Sequence, residues 1–209
     1  MSIIFSHLDV VVAGLELTLL LTLIGIVGAF VVGTAVGALY SSGDFFVRKL
    51  AGSYIDVMRN IPIVVKLFFL YFVLGLDAFP AAVIALVTHQ SGFIADVVAA
   101  GFRSVPREQA EGARASGLSP VQVFGHVVFP QAIRFVMPPM TSQFIELAKN
   151  TSVVMLIGMQ DLTYVSENIQ TETFHYLQSF VMVTILYMLI MLAISAAMSA
   201  LNRRMWAYG

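Results

Sequence analysis

Five stretches of the chain are long and apolar, and short polar segments separate them. A membrane-spanning α-helix needs about 20 mostly apolar residues, because each residue advances the helix by about 1.5 Å. The pattern therefore predicts spanning helices at residues 11–40, 54–75, 79–100, 135–158 and 176–201. The first stretch is too long for a secretory signal peptide, and it lacks a basic leading region and a clear cleavage site.

The composition agrees with a membrane location. Hydrophobic residues make up 59% of the 209 residues and charged residues 11%, whereas soluble domains average about 45–50% and about 25%. The chain has no cysteine, which excludes a disulfide scaffold, a thiolate metal site and a cysteine nucleophile. We expect an all-α membrane protein with one domain over residues 1–209, the core of which is 14–202.

Basic residues lie in alternate loops, and this predicts the orientation. They fall beside the start of the second span, between the third and fourth spans, and after the fifth, and they are Arg48, Lys49, Arg59, Arg103, Arg107, Arg114, Arg134, Arg203 and Arg204. The other loops contain acidic residues but no lysine or arginine. Cytoplasmic loops carry an excess of lysine and arginine. We therefore expect the N-terminus outside, and the C-terminus and the loop at 103–134 in the cytoplasm.

The loop at 103–134 is polar and begins with the signals of a short helix. Ser104 and Pro106 precede a predicted helix over 107–116, and Gly117 can adopt the left-handed conformation that ends a helix. Small residues share one face of this helix, namely Ala110, Ala113 and Gly117. Such a face lets a second backbone approach closely.

A second helix follows directly. Ser119, Pro120 and Gln122 form a capping box, and Pro130 is expected to stop the helix. Its apolar stripe consists of Val121, Phe124 and Val128. Two interpretations remain open at this point: the helix pair covers the core of its own subunit, or it meets another protein.

Several motifs occur in the order found in one family of transporters. They are TLLLT at 18–22, RNIP at 59–62, LFFLYF at 67–72, QAEGARASG at 109–117, FPQA at 129–132 and KNTS at 149–152. The loop motif resembles the EAA loop of ABC-importer permeases, and the set resembles the polar amino acid subfamily of the type I fold. The sequence departs from that pattern at three positions. Gly112 replaces the middle alanine of the EAA triplet, Lys66 stands where glutamine is usual, and Asp96 stands where glutamate is common.

The resemblance implies that the loop docks on a cytoplasmic ABC ATPase dimer and couples ATP hydrolysis to transport. The implied coupling residues are Glu111, Gly112, Ala113, Arg114, Gly117, Val121 and Phe124. The sequence contains no G-x-x-x-x-G-K-[ST] phosphate loop. ATP and Mg²⁺ are therefore expected on the partner ATPase, with no cofactor and no catalytic residue on this chain.

The same resemblance implies the other partners and the location. A second copy of this permease or a homologous permease would complete the pore, and an extracytoplasmic substrate-binding protein would dock on the outer side. There the acidic segment 160–172 is expected to form a short surface helix. The expected location is the plasma (inner) membrane of a bacterium or archaeon, within the lipid bilayer and without a nucleic-acid partner.

Polar residues inside the predicted spans are candidates for the substrate pathway, and they are Lys66, Asp96, Glu146, Lys149, Asn150 and Thr151. A charge at mid-bilayer costs about 2.5–3.5 kcal/mol on insertion scales, so such residues usually face protein or water. Glu146 and Lys149 can also form a self-neutralising pair on one helix face. Lys66 can pair with Glu146, Asp96 or Glu16, or it can meet an anionic group of the substrate.

Prolines inside the second and fourth spans, Pro62 and the pair Pro138–Pro139, are expected to bend or interrupt their helices. The sequence as a whole predicts a permease subunit of an ATP-driven importer for polar or charged amino acids. The alternatives are a permease for another small polar solute and an ATPase-independent secondary transporter. An intramembrane hydrolase is disfavoured, because His89 stands alone in its span and there is no H-E-x-x-H.

Overall fold

The computed structural model describes residues 7–41 and 44–206, which form helices joined by short turns. We number the helices α1 (Leu8–Tyr40), α2 (Phe45–Asn60), α3 (Ile63–Phe68), α4 (Ala78–Arg103), α5 (Arg107–Ala115), α6 (Pro120–Val123), α7 (Phe129–Asn150), α8 (Leu162–Thr173) and α9 (Tyr176–Trp206). Wide π-helical turns follow α3 (Phe69–Val73) and α6 (Phe124–Val128), and a tighter 3₁₀ helix follows α7 (Thr151–Ile157).

Helix α4 lies at the centre of the bundle and packs against α1, α2 and α7. Glycines on α1 allow its backbone to approach α4 closely. A Cβ atom added at Gly33 would lie 2.6 Å from the side chain of Ile94, and one at Gly37 would lie 2.6 Å from the carbonyl oxygen of Ala95. Small residues at such spacing are typical of helix contacts in membranes.

Three of the helices, α1, α4 and α9, are long and apolar enough to cross a bilayer. The second predicted span is not one helix, because α2 ends at Asn60 and α3 begins at Ile63. The interruption at Pro62 agrees with the prediction, since a residue before proline avoids the helical region and Ile61 is extended (ψ 123°). The number of membrane spans stays a prediction.

The other prolines behave differently from expectation. The prediction that Pro130 stops the second loop helix is wrong, because α6, its π-helical turn and α7 follow one another without a gap. In the wide turn the N–H of Phe129 donates to the carbonyl oxygen of Phe124, and this leaves room for the ring of Pro130. An interruption at Pro138–Pro139 is also not found, since α7 continues through both residues. Their fixed φ is close to the helical value.

The loop helices begin and end largely as predicted. Helix α5 matches the predicted helix at 107–116, and Gly117 is left-handed (φ 90°). The predicted cap at Ser104 is wrong, because its hydroxyl group donates to the carbonyl oxygen of Gly101 and so belongs to the end of α4. The capping box of Ser119 and Gln122 is present.

The acidic segment after α7 forms a helix, α8, but it is not simply a surface helix. One face is buried, and it contains Leu162, Val165, Ser166 and Ile169. At its start the buried Asp161 accepts hydrogen bonds from the N–H of Tyr164 (3.0 Å) and the hydroxyl of Tyr187 (3.1 Å). The N–H of Leu162 donates to the hydroxyl oxygen of Thr18 (3.1 Å). Helix α8 is therefore fastened to α1 and α9.

Candidate coupling loop and polar cleft

Helix α5 projects from the bundle, and none of its residues is buried. Six of the seven candidate coupling residues are exposed and the seventh, Ala113, is half-buried; the exposed residues are Glu111, Gly112, Arg114, Gly117, Val121 and Phe124. Val121 is an apolar side chain with 81% exposure. Helix α5 therefore does not cover the core of its own subunit, whereas α6 and the turn after it rest on the bundle through Val123 and Phe124.

Two details of the loop suit a surface that meets another protein. A Cβ atom added at Gly112 would have no neighbour within 4 Å among the described residues, so packing within the chain does not explain this glycine. Glu111 and Arg114 share a face, but the described residues include no ion pair for either. The residue that attaches the second loop helix to the bundle is Val123, which is 2% exposed and which the sequence pattern did not single out.

An ion pair joins α2 to α4 near the start of the arginine-rich loop. The guanidinium group of Arg59 donates to the carboxylate of Asp96 at 2.7 Å and lies over the ring of Phe93, 5.2 Å from its centroid. The guanidinium of Arg103 is more distant, at 3.8 Å from the same carboxylate. Asp96, a candidate pathway residue, is thus held by a partner on another helix.

A polar cleft lies between α4 and α7 and has a volume of about 370 Å³. Its walls include two of the candidate pathway residues, Glu146 and Asn150, together with His89, Gln90, Phe93, Ser142 and Gln143. The amide nitrogen of Gln90 donates to the amide oxygen of Gln143 at 2.8 Å. The amide oxygen of Gln90 is buried and has no partner among the described residues. This oxygen therefore lies within the wall of the cleft, out of contact with its open space.

Glu146 and Lys149 form the expected pair, with 2.6 Å between the ammonium nitrogen and a carboxylate oxygen. Both side chains are about half exposed (53% and 48%). Thr151 does not line the cleft, because it is fully buried and its hydroxyl group donates to the carbonyl oxygen of Ala148. The prediction of a pathway role for Thr151 is not supported by this placement.

Lys66 does not pair with any of the three acids expected for it. Its ammonium group donates to the carbonyl oxygen of Met58 and lies 3.2 Å from Nδ1 of His89. The break in the helix at Pro62 explains why Lys66 bonds to Met58. In a continuous helix the carbonyl of Met58 would accept from residue 62, but proline has no N–H. Lys66 supplies the missing donor, and His89 does not stand alone as the sequence suggested.

In the polar cleft, sequence reasoning missed Gln90 and Gln143. It also did not predict that Arg59 is the partner of Asp96. Gln90 and Gln143 are 53 positions apart, and Arg59 and Asp96 are 37 apart. Helical periodicity carries no information on which faces of two different helices meet. Only the polar character of these positions inside apolar spans provided a signal.

A helical bundle with an exposed helix pair in its arginine-rich central loop is the architecture of a type I permease of ABC importers. Residues 29–207 match the family described as "Binding-protein-dependent transport system inner membrane component". The chain belongs to this family. It is therefore a membrane-integral permease subunit of an ABC importer, and it is not itself an enzyme.

Relatives match the chain over nearly its whole length. It is 32% identical over 209 residues to the "Probable glutamine ABC transporter permease protein GlnM" of Bacillus subtilis (strain 168), which covers 98% of this chain and 97% of that protein. It is 30% identical over 211 residues to the "Glutamine transport system permease protein GlnP" of Escherichia coli (strain K12), with coverage of 98% and 96%. A solved structure described as "Crystal structure of an amino acid ABC transporter with histidines" superposes with a TM-score of 0.86 at 29% identity, over 96% of each chain.

Proposed function

We propose that this chain is the permease subunit of an importer for polar or charged amino acids in the inner membrane of a bacterium or archaeon. The relatives are named for glutamine and for glutamate and aspartate, and this supports the substrate class. The observation that carries the coupling role is the exposure of α5 together with that of Val121. On this loop Val121 and Phe124 expose apolar side chains (81% and 49%), and Glu111 and Arg114 expose charged ones; protein–protein interfaces combine the two kinds of side chain.

The coupling loop, defined as residues 103–134, would contact one subunit of a cytoplasmic ATPase dimer. Glu111, Arg114 and Val121 would supply the charged and apolar contacts, and Gly112 would allow close approach. ATP and Mg²⁺ would bind to the ATPase. Nucleotide-driven closure of the ATPase would then move α6 and α7 together, because these two helices follow one another through a single π-helical turn.

The distribution of basic residues supports an outside N-terminus and a cytoplasmic coupling loop. A second permease, identical or homologous, would complete the pore. An extracytoplasmic substrate-binding protein would dock on the opposite side, near α8. That helix suits a docking surface because its buried face is fixed to α1 and α9, whereas Glu167 and Glu172 on it are exposed.

The polar cleft between α4 and α7 is the proposed substrate pathway. It combines a carboxylate at Glu146, amide groups at Gln90, Gln143 and Asn150, and the ring of His89. A zwitterionic amino acid needs both hydrogen-bond donors and acceptors, and the side chains of this cleft supply both.

The test is transport by the complete complex in proteoliposomes. Permease, ATPase and binding protein are reconstituted, and uptake of labelled glutamine, glutamate, arginine and histidine is measured with ATP inside the vesicles. We expect ATP-dependent accumulation of at least one of them. Uptake of another polar solute alone would favour the alternative substrate class, and accumulation without the ATPase would identify a secondary transporter and refute the proposal.

A further inference from the structure

A second cavity lies on the arginine-rich half of the bundle, away from the polar cleft. It measures about 180 Å³ and lies between α1, α4 and α7. Its walls are apolar except for one threonine, and they include Phe30, Thr34, Val98, Phe102, Phe129, Ala132 and Met140. The hydroxyl oxygen of Thr34 is buried without a partner among the described residues. From Phe129 to Met140 the cavity follows α7 for about 17 Å, at about 1.5 Å for each residue.

The cavity opens toward the outside of the bundle, because Phe30 and Phe129 at its edge are 44% and 46% exposed. A bilayer covers that surface in a membrane protein. Apolar cavities of about 150 Å³ stay dry and accept hydrocarbon ligands such as benzene. The wall therefore suits a hydrocarbon chain rather than water or a polar solute.

A basic recess adjoins this cavity, and Phe102 forms a wall of both. The recess measures about 480 Å³ and is also lined by Ser41, Arg103, Val105 and Arg107. Arg107 is exposed and makes no ion pair among the described residues. Arg103 is 55% exposed and lies 3.8 Å from Asp96, whose nearer partner is Arg59. The guanidinium group of Arg103 also lies over the ring of Tyr40, 5.7 Å from its centroid, so Arg107 is the freer of the two and Arg103 would be shared between Asp96 and an anion.

We propose that this composite pocket binds one anionic phospholipid, with an acyl chain in the apolar cavity and the phosphate group against Arg103 and Arg107. The charge complementarity selects this occupant, because a neutral hydrocarbon leaves the arginines unused and a free phosphate leaves the cavity empty. Basic pockets between transmembrane helices on the cytoplasmic side bind anionic headgroups in this manner. With the proposed orientation, the lipid comes from the cytoplasmic leaflet.

The pocket is connected to the coupling loop by aromatic rings. The ring of Phe124 lies 5.9 Å from that of Phe102 and 5.9 Å from that of Phe129. Phe102 and Phe129 both line the cavity. A bound acyl chain thus fills the space behind the rings that support the π-helical turn. The lipid stabilises the base of the coupling loop and increases the coupling of ATP hydrolysis to transport.

The charged half is tested with the purified permease–ATPase complex. Phosphatidylglycerol and phosphatidylcholine retained by the complex are counted by native mass spectrometry during titration from nanodiscs. We expect one tightly held phosphatidylglycerol per permease, and the double variant Arg103→Gln/Arg107→Gln is expected to hold it roughly thirtyfold less tightly, at about one kcal/mol for each arginine near the surface. The matched control is Arg203→Gln/Arg204→Gln, which removes the same charge from the end of α9 and is expected to retain the lipid.

The apolar half is tested with Ala132→Phe, which fills the cavity and leaves both arginines in place. We expect this variant to lose the bound phosphatidylglycerol. In a separate experiment, inorganic phosphate is expected not to displace the lipid from the unmodified complex. Ala132→Leu is the milder variant, expected to weaken retention by a smaller factor, and copurification of the ATPase reports that each variant is assembled. Equal retention of the two lipids, an equal loss in the control variant, or displacement by phosphate would overturn the proposal.

Discussion

The coupling loop and the polar cleft are built by different means. Local signals specify the coupling loop: the capping box at Ser119, the left-handed Gly117 and a short polar helix all involve residues within four positions of one another. The cleft depends on side chains from separate helices, such as Gln90 on α4 and Gln143 on α7. The loop is therefore expected to tolerate loss of its partner-facing side chains without loss of fold. Substitutions that break a contact between the two helices of the cleft, such as the one between Gln90 and Gln143, are expected to alter transport and stability together.

The largest expected effect comes from reversing a charge on the loop. Glu111→Lys places a like or unpaired charge at the proposed ATPase surface, which typically costs several kcal/mol, and binding of the ATPase is expected to weaken on the order of a hundredfold. Pull-down of the ATPase and uptake in proteoliposomes measure this. The melting temperature of the isolated permease is expected to stay unchanged, since Glu111 is exposed.

Gln109→Lys is the matched control for this charge reversal. Gln109 is exposed and two positions from Glu111 on α5, so it faces another direction. We expect ATPase binding close to that of the unmodified complex. Equal loss in both variants would mean that the charge of the whole helix matters rather than a specific contact, and full binding by Glu111→Lys would contradict the docking surface.

A smaller effect is expected at Lys66, where structural and substrate roles can be separated. Lys66→Met leaves the part-buried carbonyl oxygen of Met58 without this donor, and the cost lies at the low end of the range for an unsatisfied group, about 1 kcal/mol. Lys66→Gln keeps a donor at the same place and is expected to retain most of the stability. Thermal unfolding in detergent measures the difference.

Uptake by the same two variants shows whether Lys66 has a structural role alone or also recognises the substrate. If Lys66 acts only as the donor to Met58, Lys66→Gln transports normally. A glutamine variant that is stable but loses uptake of acidic amino acids would instead assign Lys66 to recognition of an anionic group. Equal melting temperatures for the methionine and glutamine variants would contradict the proposed donor role.

Within the cleft, Gln90→Leu removes a hydrogen-bonding group from the wall of the proposed pathway. The loss of one hydrogen bond of about 1.4 kcal/mol is expected to raise KM for uptake about tenfold with a smaller change in the maximal rate. Thr88→Val is the control, since the hydroxyl of Thr88 donates within its own helix to the carbonyl oxygen of Ile84. An unchanged KM for Gln90→Leu would exclude this part of the cleft from the pathway.

The smallest effect on stability is expected for Glu146→Gln. The pair with Lys149 lies on one helix face with both side chains about half exposed, and such pairs contribute about 0.2–0.5 kcal/mol. The melting temperature is therefore expected to change little, whereas uptake of cationic amino acids is expected to fall. A large drop in melting temperature without a change in uptake would assign Glu146 to the fold alone.

The sequence predicted the features that depend on neighbouring residues better than those that depend on contacts between separate helices. Gly117 and the Ser119 capping box were predictable because their partners are a few residues away, and the motif at 109–117 identified the coupling loop. The three long apolar helices α1, α4 and α9 were predictable from the length of their hydrophobic stretches. At Pro130 the prediction failed because a π-helical turn accommodates the proline. The pattern of apolar residues gives no signal for such a turn.

The partners of Lys66 and Asp96 were not predictable from the sequence. Each depends on which face of one helix meets another. At this contact α2 approaches α4 closely at Gly92, where an added Cβ atom would lie 2.9 Å from Met58 and 3.2 Å from Arg59. Sequence reasoning could say that a charge inside a span needs a partner. It could not tell whether the partner of Lys66 is a backbone carbonyl oxygen or a carboxylate.

The uninterrupted run of helix from Pro120 to Ile157 has a mechanical consequence. Val121 on the loop and Glu146 in the cleft belong to one hydrogen-bonded rod, about 38 Å apart along its axis at about 1.5 Å for each residue. Pro130, Pro138 and Pro139 each remove one backbone hydrogen-bond donor from this run, but the helix continues through all three residues. We therefore expect a twist applied to its exposed end by the proposed ATPase partner to reach the wall of the cleft that carries Glu146.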